Sequence, residues 1–186
     1  AALDYQKGDQ RFVRPRAWTA LWSALDHTNA RIVSGATDLG LDVTQRHIQF
    51  PLLVDVSQLP GMRTIEPIAN GWRLGAGVLL SDLEAWSTSK YPMIGKMLRF
   101  FASRQIKNRA SLGGNLCNAS PIGDMPPVLL ALDAIAVIKS RKGERRVPFG
   151  GDGHGGEGFW TAYRQTVLAA GEILSAIEIS EKPAGW

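Results

Sequence analysis

The chain has 186 residues, 45% hydrophobic and 20% charged, with a formal net charge of +4; it can bury a real core as one domain or two small lobes. The charges are scattered, so no basic stripe with interleaved aromatics points to a nucleic-acid partner. One cysteine and three histidines without ligand-like spacing exclude an internal disulfide and predict no metal site, while the lack of a membrane-length apolar run or signal-peptide profile predicts no membrane partner and a cytoplasmic location.

The start, Ala1-Ala2-Leu3-Asp4-Tyr5-Gln6-Lys7-Gly8, reads as a linker or a cut end. Arg16 to His27 has a helical spacing, with Leu21, Trp22, Ala24 and Leu25 on one side. Arg31 to Ser34 is a short strand, and Asp38 to Gln45 coils after it. Leu52 to Val56 reads as a buried strand before a turn at Pro60-Gly61, and strands at Thr64 to Ala69 and Trp72 to Ala76 flank Asn70-Gly71, a strong hairpin signal. Ser81 is the expected N-cap of a helix running to about Ser89, with Glu84 at the capping-box position. A second helix is expected over Met93 to Ser103, and a third over Asp124 to Leu132, whose Pro126 and Pro127 suit a first turn. Ala134 to Ser140 and Arg145 to Phe149 form another hairpin, with the basic run Arg141-Lys142-Gly143-Glu144-Arg145-Arg146 around its turn. Gly150 to Gly158 holds six glycines and reads as a flexible loop with His154 exposed; Ile173 to Ile179 closes the chain as a strand. The fold class is α+β, with a division near Ser89 to Pro92 into lobes 1–90 and 91–186.

Two glycine-bearing segments stand out. Ile32-Val33-Ser34-Gly35-Ala36-Thr37-Asp38-Leu39-Gly40 follows a strand, and Ala110-Ser111-Leu112-Gly113-Gly114-Asn115-Leu116-Cys117-Asn118-Ala119-Ser120-Pro121-Ile122-Gly123-Asp124 precedes a helix. Glycines beside small hydroxyl and amide residues let a backbone approach a phosphate-bearing ligand and offer it N–H donors. The first segment lacks the Gly-x-Gly-x-x-Gly of dinucleotide folds and the Gly-Lys-Ser/Thr of a P-loop. Alone, it also reads as a plain strand, tight turn and N-cap. Cys117, inside the second segment, is expected as a small buried apolar residue.

The run Phe101-Ala102-Ser103-Arg104-Gln105-Ile106-Lys107-Asn108-Arg109-Ala110-Ser111-Leu112-Gly113-Gly114-Asn115, continued by Asn118-Ala119-Ser120-Pro121-Ile122-Gly123-Asp124, resembles the flavin-binding signature of the xanthine dehydrogenase family. So does the first segment, and so do Phe159-Trp160-Thr161-Ala162-Tyr163-Arg164 and Gly171-Glu172-Ile173-Leu174-Ser175-Ala176-Ile177-Glu178-Ile179, in matching order. The resemblance covers nearly the whole chain from about Phe12. Its Ala-Ser-Pro-Ile-Gly-Asp wording is nearer to xanthine dehydrogenase than to the carbon monoxide dehydrogenase flavoproteins.

The resemblance implies a vanillyl-alcohol-oxidase/PCMH-type FAD-binding fold, two α+β lobes with the flavin between them. Val33, Ser34, Gly35, Ala36, Thr37, Asp38 and Leu39 would wrap the pyrophosphate, with the N–H groups of Gly35, Ala36 and Thr37 as donors. Ser111, Gly114, Asn115 and Asn118 would take phosphate oxygens and the ribityl chain. Phe101 would lie near the isoalloxazine, with Ala102, Ile106 and Ala110 shaping the walls. Asp124 would accept from ribityl or ribose hydroxyls, and Leu174 would pack beside the flavin or adenine. No residue is singled out as a proton-transfer catalyst. The implied function is an electron-transfer module of a molybdenum hydroxylase. Iron–sulfur clusters and the molybdenum cofactor would lie in partner domains or subunits, with NAD or dioxygen as acceptor at the flavin. The upstream cysteines of the family's iron–sulfur clusters are absent from this sequence, which also stops just past Ile179, so the chain reads as an excised domain or a small part of a multi-subunit enzyme. Alternatives are a flavoprotein subunit acting with a carbon monoxide, aldehyde or N-heterocycle centre, or an assembly module with an incomplete flavin site. The six tryptophans, Trp186 at the tail among them, suit that last reading.

Overall fold

The N-terminal residues expected as a linker form a strand. In this computed structural model, which describes residues 2–27, 29–151 and 157–181, β1 (Leu3–Lys7) pairs antiparallel with β2 (Gln10–Arg14). Every residue of β1 is exposed, so the short Leu3-Asp4-Tyr5-Gln6 alternation marks no buried face. Next come α1 (Trp18–Leu25), β3 (Ala30–Val33), α2 (Leu39–Thr44) and β4 (Leu52–Asp55). The strands form a four-stranded sheet in the order β1-β2-β4-β3, with β4 parallel to both β2 and β3. Leu21, Trp22 and Ala24 of α1 join Leu52 and Val54 of β4 in the core.

The second sheet, β5-β6-β11-β7-β8, is antiparallel throughout. It comprises β5 (Ile65–Ile68), β6 (Gly71–Gly75), β7 (Ile135–Ser140), β8 (Gly143–Pro148) and, at its centre, β11 (Ile173–Ser180). Residues 173–177 of β11 are all buried, as befits a strand covered on both faces. The connection from β6 back to β7 carries α3 (Leu80–Lys90), α4 (Pro92–Phe100), α5 (Arg104–Lys107), α6 (Leu112–Cys117) and α7 (Met125–Ala131). A two-stranded ribbon, β9 (Trp160–Ala162) and β10 (Gln165–Thr166), leads into β11. No helix among the described residues is long and apolar enough to cross a membrane. His154 and Trp186 lie outside the described residues.

Several boundaries differ from the sequence expectation. The change of sheet falls between β4 and β5. Of the elements expected in a 1–90 lobe, β5 pairs with β6, β6 pairs with β11, and α3 packs on α4. A boundary near Ser89 to Pro92 therefore separates two helices that touch. Ser81 does not cap α3; Leu79 does, in extended conformation, because the Leu80 N–H donates to the Ala110 carbonyl at 2.9 Å and starts the helix earlier. The helix expected over Met93 to Ser103 ends at Phe100. Phe101 is extended and Ala102 takes a positive φ of 43°. Ser103 then caps the new turn α5 by accepting from the Ile106 N–H at 3.3 Å.

Lys107 of α5 is buried, and its ammonium donates to Glu84 Oε2 at 2.7 Å and to the Leu98 carbonyl at 2.9 Å. One side chain thus ties α5 to α3 and to the end of α4. Truncating one partner of a buried pair strands the other charge. Lys107→Met is expected to lower unfolding free energy by about 3 kcal/mol in urea titrations, and adding Glu84→Leu should recover much of that loss.

Candidate functional site

The two glycine-bearing segments meet. A Cβ at Gly35 would collide with the Arg109 carbonyl oxygen and lie 3.0 Å from the Ala110 Cα. Only a glycine lets the turn after β3 lie flat on the backbone that leads into α6. A Cβ at Gly113 would come within 2.6 Å of the Ala76 Cβ, so α6 is seated just as tightly on the end of β6. The Gly113 N–H donates to the Ala76 carbonyl at 2.7 Å and the Leu112 N–H to the Val78 carbonyl at 2.9 Å. Gly114 differs: a Cβ there would meet only the Ser111 Oγ, at 2.8 Å. Neither Gly35 nor Gly114 has a positive φ, whereas Ala36 does, at 63°. The Gly35 constraint thus comes from packing within the protein, and the left-handed step falls on its neighbour.

Around this junction lies a cleft of about 410 Å³, a volume typical of small-molecule sites. Its lining includes Val33, Ser34, Gly35, Ala36, Thr37, Asp38 and Leu39 on one side. Phe101, Ile106, Ala110, Ser111, Gly114, Asn115 and Asn118 line the other, and Leu174 of β11 completes the expected set. Ala102 and Asp124 are not in the lining, and both are exposed. The positive φ of Ala102 makes it the turn that redirects the chain after Phe101, and Asp124 is the N-cap residue of α7.

The donors on the two sides are in different states. Among the described residues, no protein acceptor takes the N–H of Gly35, Ala36 or Thr37. On the other side, the Gly114 N–H donates to the Ser111 Oγ at 3.2 Å and the Asn115 N–H to the Ser111 carbonyl at 3.0 Å. Ser111 therefore caps α6 with its lone pair and keeps its O–H free to donate. The Asn115 Oδ1 is buried without a hydrogen-bond partner. A buried acceptor left alone costs about 1–3 kcal/mol, and a ligand with a hydroxyl or N–H would relieve it.

Residues the sequence reading did not single out also line the cleft. Ala30 and Arg31 of β3 lie just ahead of the first segment and Ile32 opens it without an assigned role; Val56 and Met62 come from the link between the sheets, and Leu168, Glu172 and Ile173 precede Leu174. Cys117, expected as buried, is exposed and lines the cleft at the end of α6.

A family model for the FAD-binding domain in molybdopterin dehydrogenase matches residues 6–181. The chain belongs to this family. It is 31% identical over 170 residues to the xanthine dehydrogenase/oxidase of Gallus gallus, a match covering 86% of this chain and 12% of that protein. Among solved structures, the quinoline 2-oxidoreductase of Pseudomonas putida 86 aligns with a TM-score of 0.81 and 27% identity, over 92% of this chain and 58% of that one. A carbon monoxide dehydrogenase chain of Hydrogenophaga pseudoflava shares the fold, with a TM-score of 0.84 at 23% identity, over 94% of this chain and 60% of that one. The α+β, PCMH-type FAD-binding fold and the cofactor class implied by the sequence resemblance therefore hold for this FAD-binding domain.

The geometry ranks the glycines. Gly35→Ala must push the two segments apart, at a cost of about 1–3 kcal/mol in chemical denaturation. Gly114→Ala disturbs only the cap from Ser111, worth about 1 kcal/mol or less.

Proposed function

We propose that this FAD-binding domain is the electron-transfer module of a xanthine dehydrogenase-like molybdenum hydroxylase. In that reading it receives electrons from an iron–sulfur domain and a molybdenum-cofactor subunit, and passes them to NAD or dioxygen in the cytoplasm. The chain spans 12% of the length of the xanthine dehydrogenase it matches, so the substrate chemistry is assigned to other parts of the enzyme. A quinoline-type substrate is the second choice, favoured by the likeness to the quinoline oxidoreductase.

The observation that carries the reading is the set of unpaired groups in one cleft: three successive N–H groups at Gly35, Ala36 and Thr37, with the orphaned Asn115 Oδ1 in the same lining. Successive free N–H groups form an anion-binding concavity, which suits a pyrophosphate. A carbonyl oxygen cannot satisfy itself on an ionised phosphate, which has no proton to give, so Asn115 suits a ribityl or ribose hydroxyl. Ser111 keeps its O–H for an oxygen acceptor, and Asn118 supplies an amide beside it. Phe101, Ile106, Leu168 and Leu174 give the cleft an apolar wall that excludes water from a flat ring system. Bound there, FAD would supply the redox chemistry, taking up electrons and releasing them to an acceptor. The protein's part is to bind, orient and shield.

Calorimetric titration of the purified chain with FAD tests the reading. It should saturate at one FAD per chain and turn the protein yellow. Asn115→Ala should weaken binding about fivefold to tenfold, the worth of one net hydrogen bond. A colourless chain that takes up no FAD contradicts the assignment.

A further inference from the structure

The third part of the cleft wall carries one member of an ion pair, Arg145–Glu172. Leu168, Glu172, Ile173 and Leu174 line the cleft; Leu168 sits in an irregular loop between β10 and β11, packed against the core, with the Val167 N–H donating to the Phe159 carbonyl at 2.9 Å. Gly171 turns that loop with a φ of 76°. Arg145, on β8 at the far edge of the second sheet, reaches across to it. Its Nε donates to Glu172 Oε1 at 2.8 Å, and its Nη2 donates to Glu172 Oε2 at 2.7 Å and to the Val167 carbonyl at 3.0 Å. Glu172 Oε2 also accepts from the Ala169 N–H at 2.9 Å, and the Glu172 N–H returns to the Ala169 carbonyl at 3.0 Å. Both ends of the loop, Val167 and Glu172, are therefore gripped by one guanidinium fork.

We propose that Arg145 and Glu172 are positioning residues, a clamp that sets the Leu168–Leu174 wall against the bound flavin. This rests on the reading that FAD occupies the cleft. The side-chain hydrogen bonds of Arg145 among the described residues go to Glu172 and Val167, so its grip on the cleft runs through the loop. A two-pronged Arg–carboxylate pair fixes orientation as well as distance, which a lysine at the same site cannot do. The Glu172 carboxyl is held below the usual carboxylate range, chiefly by the hydrogen bonds from Arg145, against the opposing effect of burial. Glu172 therefore stays ionised while part of the cleft lining. Without Arg145, an uncompensated carboxylate would face an anionic cofactor from a loosened wall, and both effects weaken binding in the same direction.

The Arg145 side chain is 41% exposed, so its replacement should leave the fold standing. The experiment compares wild type, Arg145→Lys, Arg145→Met, Glu172→Gln and the Arg145→Met/Glu172→Gln double variant. Each is measured for FAD dissociation constant, for the vibronic fine structure of the bound flavin's absorption, and for the unfolding midpoint of the FAD-free protein. Arg145→Met should raise the dissociation constant by roughly tenfold, about 1.4 kcal/mol, and blur the fine structure as water reaches the ring. Arg145→Lys should fall in between. The FAD-free midpoint should move by no more than about 2–4 °C. The double variant should be no weaker than Arg145→Met alone, because both changes break one clamp. The clamp is refuted if Arg145→Met binds FAD like wild type with an unchanged spectrum. A loss of affinity matched by an equal loss of FAD-free stability also refutes it, as a folding effect. If the wild type itself takes up no FAD, the functional assignment fails first and the clamp with it.

Discussion

The contact of Gly35 with the backbone of Arg109 and Ala110 is the constraint on which the cleft depends. The chain leaves the first sheet at β4 and enters the second at β5, with the connection running through Val56 and Met62. The glycine allows the turn after β3 to lie against the segment entering α6, where any side chain would strike the Arg109 carbonyl. The same segment is pinned to the second sheet from the other side. Ala110 accepts from Leu80, Leu112 donates to Val78 and Gly113 donates to Ala76. Two sheets and the helical layer thus converge on about ten residues, and the cleft is the space left around that convergence.

This arrangement explains why donors are free on one side and engaged on the other. The turn at 35–37 gives up internal hydrogen bonds because Ala36 steps into the left-handed region, at a φ of 63°, leaving consecutive N–H groups aimed away from regular structure. Helix α6 does the opposite. Its first donors are taken by Ser111 and by the backbone of the second sheet, so it offers side chains rather than main chain. One wall is suited to an anion and the other to hydroxyls. FAD carries both, a pyrophosphate flanked by polyol chains.

The sequence was legible where chemistry and packing demanded the same residues. Ser34, Gly35 and Thr37 of the first segment and Ser111, Gly113, Gly114, Asn115 and Asn118 of the second line the cleft, where close approach and hydrogen bonding call for the same small and polar residues. The strands β7 and β11 were legible from their apolar runs. Strand β1 was not, since all of it is exposed. Helices α5 and α6 were hidden because they are single turns started by Ser103 and Ser111 caps, with two glycines inside the second. Ser81 misled because the Leu80 N–H is satisfied from Ala110 across the chain, and no local pattern reports that. Ala102 and Asp124 fall outside the cleft lining because one redirects the chain through a left-handed turn, which an alanine's Cβ gives no sequence sign of, and the other is the N-cap residue of α7. Cys117 reads as a core residue by type, yet the one-turn helix that carries it ends with its side chain at the cleft.

The central claim is that one FAD is held at once by the turn at Gly35–Leu39 and by the segment Ser111–Asn118. Amide hydrogen exchange, with and without a saturating amount of FAD, addresses it directly. The account predicts that FAD slows exchange at Gly35, Ala36 and Thr37, whose N–H groups have no protein acceptor, and in the same samples slows it across α6. Protection of only one segment, or of neither while FAD binds elsewhere, would contradict it.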